Sequence, residues 1–172
     1  MKTYAVTIRE KILTEQGLRL SVTPTLPVSA QPGQYYLAFA PRTTQVLPVP
    51  LFPFAEQANG LELCGKVQLF WQTGTRLLLQ GPMGKGFAKC LRANHLALYA
   101  VEREHEERLY CLAVHALRRG ADVTWITDHP TIDLPPQVEI LSTAELHEAI
   151  TWSDACAIAV PRNLVSMFTK TY

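Results

Sequence analysis

Long apolar runs, blocks of like charge and paired cysteines are all scarce in this chain, and each scarcity removes a class of protein. No stretch approaches the roughly 18 uninterrupted apolar residues that a membrane helix needs. The opening Met-Lys-Thr-Tyr-Ala-Val-Thr-Ile-Arg-Glu turns charged too early for a signal peptide. Direct membrane insertion is therefore not expected, and a cytoplasmic location is. Sixteen Lys and Arg nearly balance fifteen Asp and Glu, which disfavours binding nucleic acid through net charge. Cys64, Cys90, Cys111 and Cys156 stand singly, with no C-x-x-C pair and no His at ligand spacing. Neither a zinc site nor an iron–sulfur cluster is expected, and the cysteines read as small buried hydrophobes in a reducing compartment. A Walker loop and a Gly-x-Ser-x-Gly elbow are both missing.

What is present is an ordinary globular composition, 48% hydrophobic over 172 residues, with twelve prolines and nine glycines. That suits one large domain or two small ones. Tyr4, Val6 and Ile8, and again Leu18, Leu20 and Val22, alternate with more polar neighbours, the period of half-buried strands. Gln16-Gly17 between them reads as a hairpin turn. Pro32-Gly33 opens an aromatic strand at 34–39, and Pro41, Pro48, Pro50 and Pro53 predict an irregular, edge-like stretch. Further strands are expected over Leu61–Leu69 and Arg76–Gln80. Short strands with frequent turns indicate a small antiparallel barrel.

After Gly86 the period changes. Leu96 to Val101 is continuously apolar, as a strand covered on both faces would be. Leu109, Leu112, Ala113, Ala116 and Leu117 form one helical stripe, with Glu104, Glu106 and Glu107 before it, Arg118 and Arg119 at its end and Gly120 beyond. Strands follow at Val123–Ile126, Val138–Leu141 and Cys156–Val160. Ser142-Thr143-Ala144-Glu145 reads as a capping box opening a helix with Leu146, Ala149 and Ile150, and a last helix would carry Leu164, Val165 and Phe168 towards Tyr172. The fold class is thus β-barrel plus α/β: an antiparallel Greek-key barrel over 1–88, then a small parallel sheet with flanking helices over 89–172.

A barrel feeding a parallel sheet through Leu79-Gln80-Gly81-Pro82-Met83-Gly84-Lys85-Gly86-Phe87 resembles the ferredoxin reductase superfamily. It is most similar to the dihydroorotate dehydrogenase electron-transfer subunit, whose barrel ends in Gly-Pro-Leu-Gly-x-Gly-Phe. Pro32-Gly33-Gln34-Tyr35 and Thr73-Gly74-Thr75-Arg76-Leu77 resemble two further segments of that family. The resemblance implies a flavin-domain-like barrel and a truncated nucleotide-binding-like domain. It makes Val49, Pro50, Leu51, Phe52, Gly81, Gly84, Lys85 and Gly86 the cofactor-contacting set if a flavin, FAD or FMN, is held. The glycines have a second reading, as residues that let the backbone turn and approach closely at a corner.

At four family sites the chemistry departs from the pattern. Where the family's Arg-Pro-x-Ser strand meets a flavin, this chain reads Val49-Pro50-Leu51-Phe52, with Arg42 near enough to substitute. Where the family has a glycine-rich turn for a pyrophosphate, Val101 is followed by Glu102-Arg103-Glu104-His105-Glu106-Glu107, carboxylates that complement a helix dipole and repel a dianion. Where the family has Cys-Gly-Pro, this chain has Ala159-Val160-Pro161, and the cysteines of the family's iron–sulfur centre have no counterpart. No catalytic and no metal-binding residues are assigned. His105, His115 and His147 lack partners at i+4, while Asp128-His129 has an acid/base reading and a turn reading. The expectation is a ferredoxin-reductase-like accessory or scaffold subunit of a larger redox assembly, not catalytic by itself and with no cofactor. It would work with a protein partner or as a homo-oligomer. The alternative is a flavin-binding electron-transfer subunit of an oxidoreductase. A small-molecule sensing module is a third reading, for which no polar cluster stands out.

Overall fold

The structure, a computed structural model, describes residues 2–15, 17–24, 26, 30–41, 47–102 and 105–166. Two compact units divide the chain, Met1–Gly86 and Phe87–Tyr172. Gln16, Arg42, Arg103, Glu104, Phe168 and Tyr172, each named above, lie outside the described residues.

The first unit is a closed barrel of six strands: β1 (Lys2–Thr14), β2 (Gly17–Thr23), β3 (Tyr35–Phe39), β4 (Val49–Gln57), β5 (Gly60–Gly65) and β6 (Arg76–Met83). They run antiparallel in the order β1-β2-β5-β4-β3-β6, and β1 closes the circle on β6 from Lys2↔Gly81 to Thr7↔Arg76. The alternation seen in the sequence decides which side chains enter. Val6, Ile8, Leu20, Val22, Leu77 and Leu79 are all within 1% of full burial and meet around Trp71 and Tyr36. Burial is also what pushes the Tyr36 phenol up to about 12, so this tyrosine is a neutral core residue.

Two strands differ from the sequence expectation. The proline-punctuated stretch is a regular nine-residue strand, β4, inside the barrel between β3 and β5. It tolerates its prolines because each has a ladder partner on one side only. Pro50 pairs with Leu37 of β3 beyond the end of the β5 ladder, and Pro53 pairs with Leu63 of β5 beside a bulge and beyond the end of the β3 ladder. The strand expected to reach Leu69 stops at Gly65. The chain there leaves the ladder and turns, exposing Leu69 and burying Trp71.

The second unit is a parallel sheet in the order β10-β7-β8-β9, built from β7 (His95–Ala100), β8 (Asp122–Ile126), β9 (Glu139–Leu141) and β10 (Ala155–Ala159). Helix α1 (Glu106–Arg118) links β7 to β8, and α2 (Leu146–Trp152) links β9 to β10. The apolar run of β7 has the two-faced burial that its composition demands. Leu96 and Leu98 pack with Leu109, Leu112 and Ala113 of α1, while Ala97 and Tyr99 pack with Ala149 and Leu146 of α2. Gly120, at φ +79°, ends α1 and donates its N–H to the Leu117 carbonyl. At the start of the α2 segment the capping box is formed, with Glu145 Oε2 accepting the Ser142 N–H at 2.9 Å.

The alternation of β4 makes a direct test of this register. Leu51 is fully buried in the barrel core and Pro50 is exposed. Leu51→Ala is therefore expected to cost about 2–5 kcal/mol of unfolding free energy, and Pro50→Ala to stay within about 0.5 kcal/mol, both measured by urea denaturation.

Candidate functional site

The barrel brings β4, β3 and β6 side by side, and with them most of the residues singled out for a cofactor. The set does not face one way. Leu51 is buried in the core and Val49 packs against that core, so neither presents its side chain to a ligand on the barrel's outer face. This corrects the expectation for both, since in a half-buried strand only every second residue faces outwards. Pro50 and Phe52 face out, and the Phe52 ring lies 5.8 Å from the Tyr35 ring, tilted at 47°. The turn after β6 packs against the same tyrosine. A side chain at Gly84, where φ is +86°, would meet the Tyr35 ring, and one at Gly86 would lie 2.7 Å from the Pro32 carbonyl oxygen. Gln34 Nε2 donates to the Gly84 carbonyl at 3.0 Å and ties the turn to β3. Gly81 is enclosed by Tyr35 and Tyr36, and Lys85 is exposed at the tip. Each glycine thus has a packing reason independent of any ligand.

At the carboxyl edge of the parallel sheet, where α/β proteins place their ligands, the decisive side chain is Glu106 in the first turn of α1. The sequence suggests a glutamate that complements the helix dipole and repels a dianion. Glu106 is 2% exposed, and its carboxylate is engaged across the sheet edge. Oε2 accepts the Thr131 N–H at 3.1 Å and the Thr131 hydroxyl at 2.5 Å, and Oε1 accepts the Thr127 hydroxyl at 3.4 Å. Both threonines lie on the segment leaving β8. Glu107 and His105 are buried too, and His105 Nδ1 lies 3.7 Å from a Glu102 oxygen. A negative group of the chain itself thus occupies the turn at which a dinucleotide-binding sheet holds a pyrophosphate, and the residues present do not fit that ligand. Thr127 and Thr131 carried no signal in the sequence beyond their spacing of four.

The flavin contacts of the resemblance fare little better. The outward pair Pro50 and Phe52 offers neither a cation nor a hydroxyl, although Tyr35 and Phe52 supply two aromatic rings.

Other candidates resolve into structural roles. Asp128 Oδ2 accepts the Thr143 hydroxyl at 2.7 Å and Oδ1 the Thr143 N–H at 2.9 Å. These bonds hold its carboxyl below the usual range, with the hydroxyl contributing most, so Asp128 fastens a turn and is a poor base at neutral pH. Cys90 and Cys156 are neighbours in the second unit, and burial raises both thiols, Cys156 to about 12, which keeps them protonated. Among the described residues no three His, Cys, Asp or Glu side chains could together hold a metal ion.

Neither protein-family models nor curated proteins give a match to the sequence. Solved structures do. Over 99% of this chain, the ferredoxin reductase of carbazole 1,9a-dioxygenase superposes with a TM-score of 0.72 at 15% identity. An NADH-dependent reduced ferredoxin–NADP oxidoreductase does so over 96% with a TM-score of 0.71 at 15% identity, and phthalate dioxygenase reductase over 98% with 0.63 at 12%. The chain has the ferredoxin-reductase fold. It covers 62%, 71% and 63% of those three proteins respectively. The barrel and parallel sheet expected from the sequence are those of this fold, and the sequence identities carry the likeness no further than that.

The Glu106 and Asp128 bonds predict two measurable effects. Glu106→Gln sets an amide N–H2 among donors, and is expected to cost about 1–3 kcal/mol of unfolding free energy in denaturant titration. For Asp128, whose folded pKa is depressed, the stabilisation is present above the unfolded value of about 3.9 and is lost as pH falls through the lower folded value. The melting temperature of Asp128→Asn should therefore vary less steeply with pH below about 4 than that of the parent.

Proposed function

We propose that this protein is a non-catalytic accessory or scaffold subunit, with a ferredoxin-reductase-like body, of a larger redox assembly. The observation that carries this reading is the buried Glu106 carboxylate, bonded to Thr127 and Thr131 at the turn where a reductase of this fold would receive a dinucleotide. The outward face of β4 supports it, since Pro50 and Phe52 replace the charged and hydroxyl groups of the resemblance. Exposed Leu47, Pro48 and Pro50 at the start of that strand give an apolar surface for protein contact. A protein partner or a second copy then takes the place of a cofactor, and the setting is a cytoplasmic one.

A second reading rests on the Tyr35–Phe52 ring pair beside the Gly84 turn. Two rings at the junction of β3, β4 and β6 would receive a planar ring system, with exposed Lys85 near its phosphate. In that case the barrel domain is the flavin domain of an electron-transfer subunit similar to that of dihydroorotate dehydrogenase. FAD or FMN, when bound, would supply one- and two-electron transfer. Tyr35 and Phe52 would orient the ring, and Lys85 would balance the phosphate charge.

The visible absorbance spectrum of protein purified without added cofactor separates the two, supported by calorimetric titration with FAD, FMN and NADH. The scaffold reading expects a colourless protein and no heat of binding with any of the three. Stoichiometric flavin absorbance would overturn it and promote the second reading. In that event Phe52→Ala should weaken flavin binding by roughly tenfold, the loss of one aromatic contact.

A further inference from the structure

We propose that the groove between β9 and α2 is a docking site for an extended, basic segment of a protein partner, added as a strand beside β9. The groove encloses about 300 Å3 and is lined by Glu139, Leu141, Glu145, Glu148, Ala149 and Trp152. Its floor is apolar and its rim is anionic. One wall is the indole of Trp152, which is 55% exposed, whereas Trp71 and Trp125 are fully buried. The His95 ring stands edge-on to this indole with centroids 4.7 Å apart, so the exposed face is held by packing from behind.

Strand β9 borders the groove and is an open edge. It pairs with β8 through Thr124↔Glu139, Trp125↔Ile140 and Ile126↔Leu141, and with no other described strand. An edge of this kind accepts an extended segment by main-chain hydrogen bonds, with alternate side chains read on the two faces. On one face the incoming side chains meet Glu139 and the groove, and on the other they meet Ile140, which is 48% exposed. The fitting segment therefore alternates basic and apolar residues.

Charge decides the occupant. Between Gly120 and Pro161 the chain carries seven carboxylates and no lysine or arginine, although over the whole sequence the two signs nearly balance. The lining contains no cation, and the Glu148 side chain is exposed. An arginine or lysine entering here would find a carboxylate for its head and an indole face for its stem and charge. The proposal names a partner surface for an accessory subunit, but it does not depend on the cofactor question, and a flavin spectrum would leave it standing.

The test uses the full chain and two synthetic peptides, alternating Arg-Val and alternating Glu-Val, with binding followed by calorimetry and by Trp152 emission. The Arg-Val peptide is expected to bind, to shift the emission to the blue and to shield it from acrylamide, with affinity falling as salt is raised. Glu148→Lys should weaken binding by about tenfold, removing one attraction and adding one repulsion. Asp133→Lys, exposed in the same acidic stretch but outside the groove, should change it by less than about twofold. Glu148 and Trp152 are exposed, and circular dichroism checks that the variants fold; Trp152→Ala serves as the second variant and should weaken binding similarly. Equal binding of the Glu-Val peptide, no binding of Arg-Val, or equal losses in Glu148→Lys and Asp133→Lys would each overturn the proposal. So would a parent dimer, seen by sedimentation, that Glu148→Lys dissolves, since the groove would then belong to a second copy.

Discussion

The ladder between β1 and β6 is the constraint from which the rest of the first unit follows. A six-stranded antiparallel sheet of this size has two edges, and pairing Lys2–Thr7 with Arg76–Gly81 removes both at once. Closure encloses a core of alternate side chains and fixes, strand by strand, which residues face out. It also sets β4, β3 and β6 next to one another, so that Phe52, Tyr35 and the Gly84 turn meet although they are far apart in sequence. Any cofactor or partner role of the barrel face is inherited from that adjacency.

In the second unit a buried carboxylate has the corresponding influence. Glu106 joins the start of α1 to the segment leaving β8 through three hydrogen bonds from Thr127 and Thr131. The bonds satisfy a charge that burial would otherwise make costly. They also place a negative group at the sheet edge that a ligand would otherwise use. Helix, strand end and loop are thereby fastened to one another. The exposed surfaces of the two units are unlike. The barrel's outward β4 face is apolar and aromatic, while the β9 edge is rimmed by glutamates with one exposed indole.

Much of the fold was legible because it rests on periodicity. The alternation in β1 and β2, the apolar run of β7, the stripe of α1 and the Ser142–Glu145 box all form as their patterns require. Less was legible where a rule about single residues met a tertiary exception. Prolines at 50 and 53 argue against a barrel strand, yet β4 accommodates them because neither position is paired on both sides. The candidate site was half legible for the same reason. The sequence names Val49 to Phe52 as a unit, but the pleat divides them, taking Val49 and Leu51 inwards and turning Pro50 and Phe52 out.

By itself, then, the sequence determined the order of an antiparallel barrel before a parallel sheet and the charge asymmetry after Gly120, because these depend on residue type and local period alone. Only the tertiary structure decided that Glu106 is buried and bound rather than solvated, that Tyr35 and Phe52 share a face, and that Glu139, Glu148 and Trp152 line one groove on an open edge. Each of these depends on which distant segments the sheet places side by side, and a linear pattern carries no record of that.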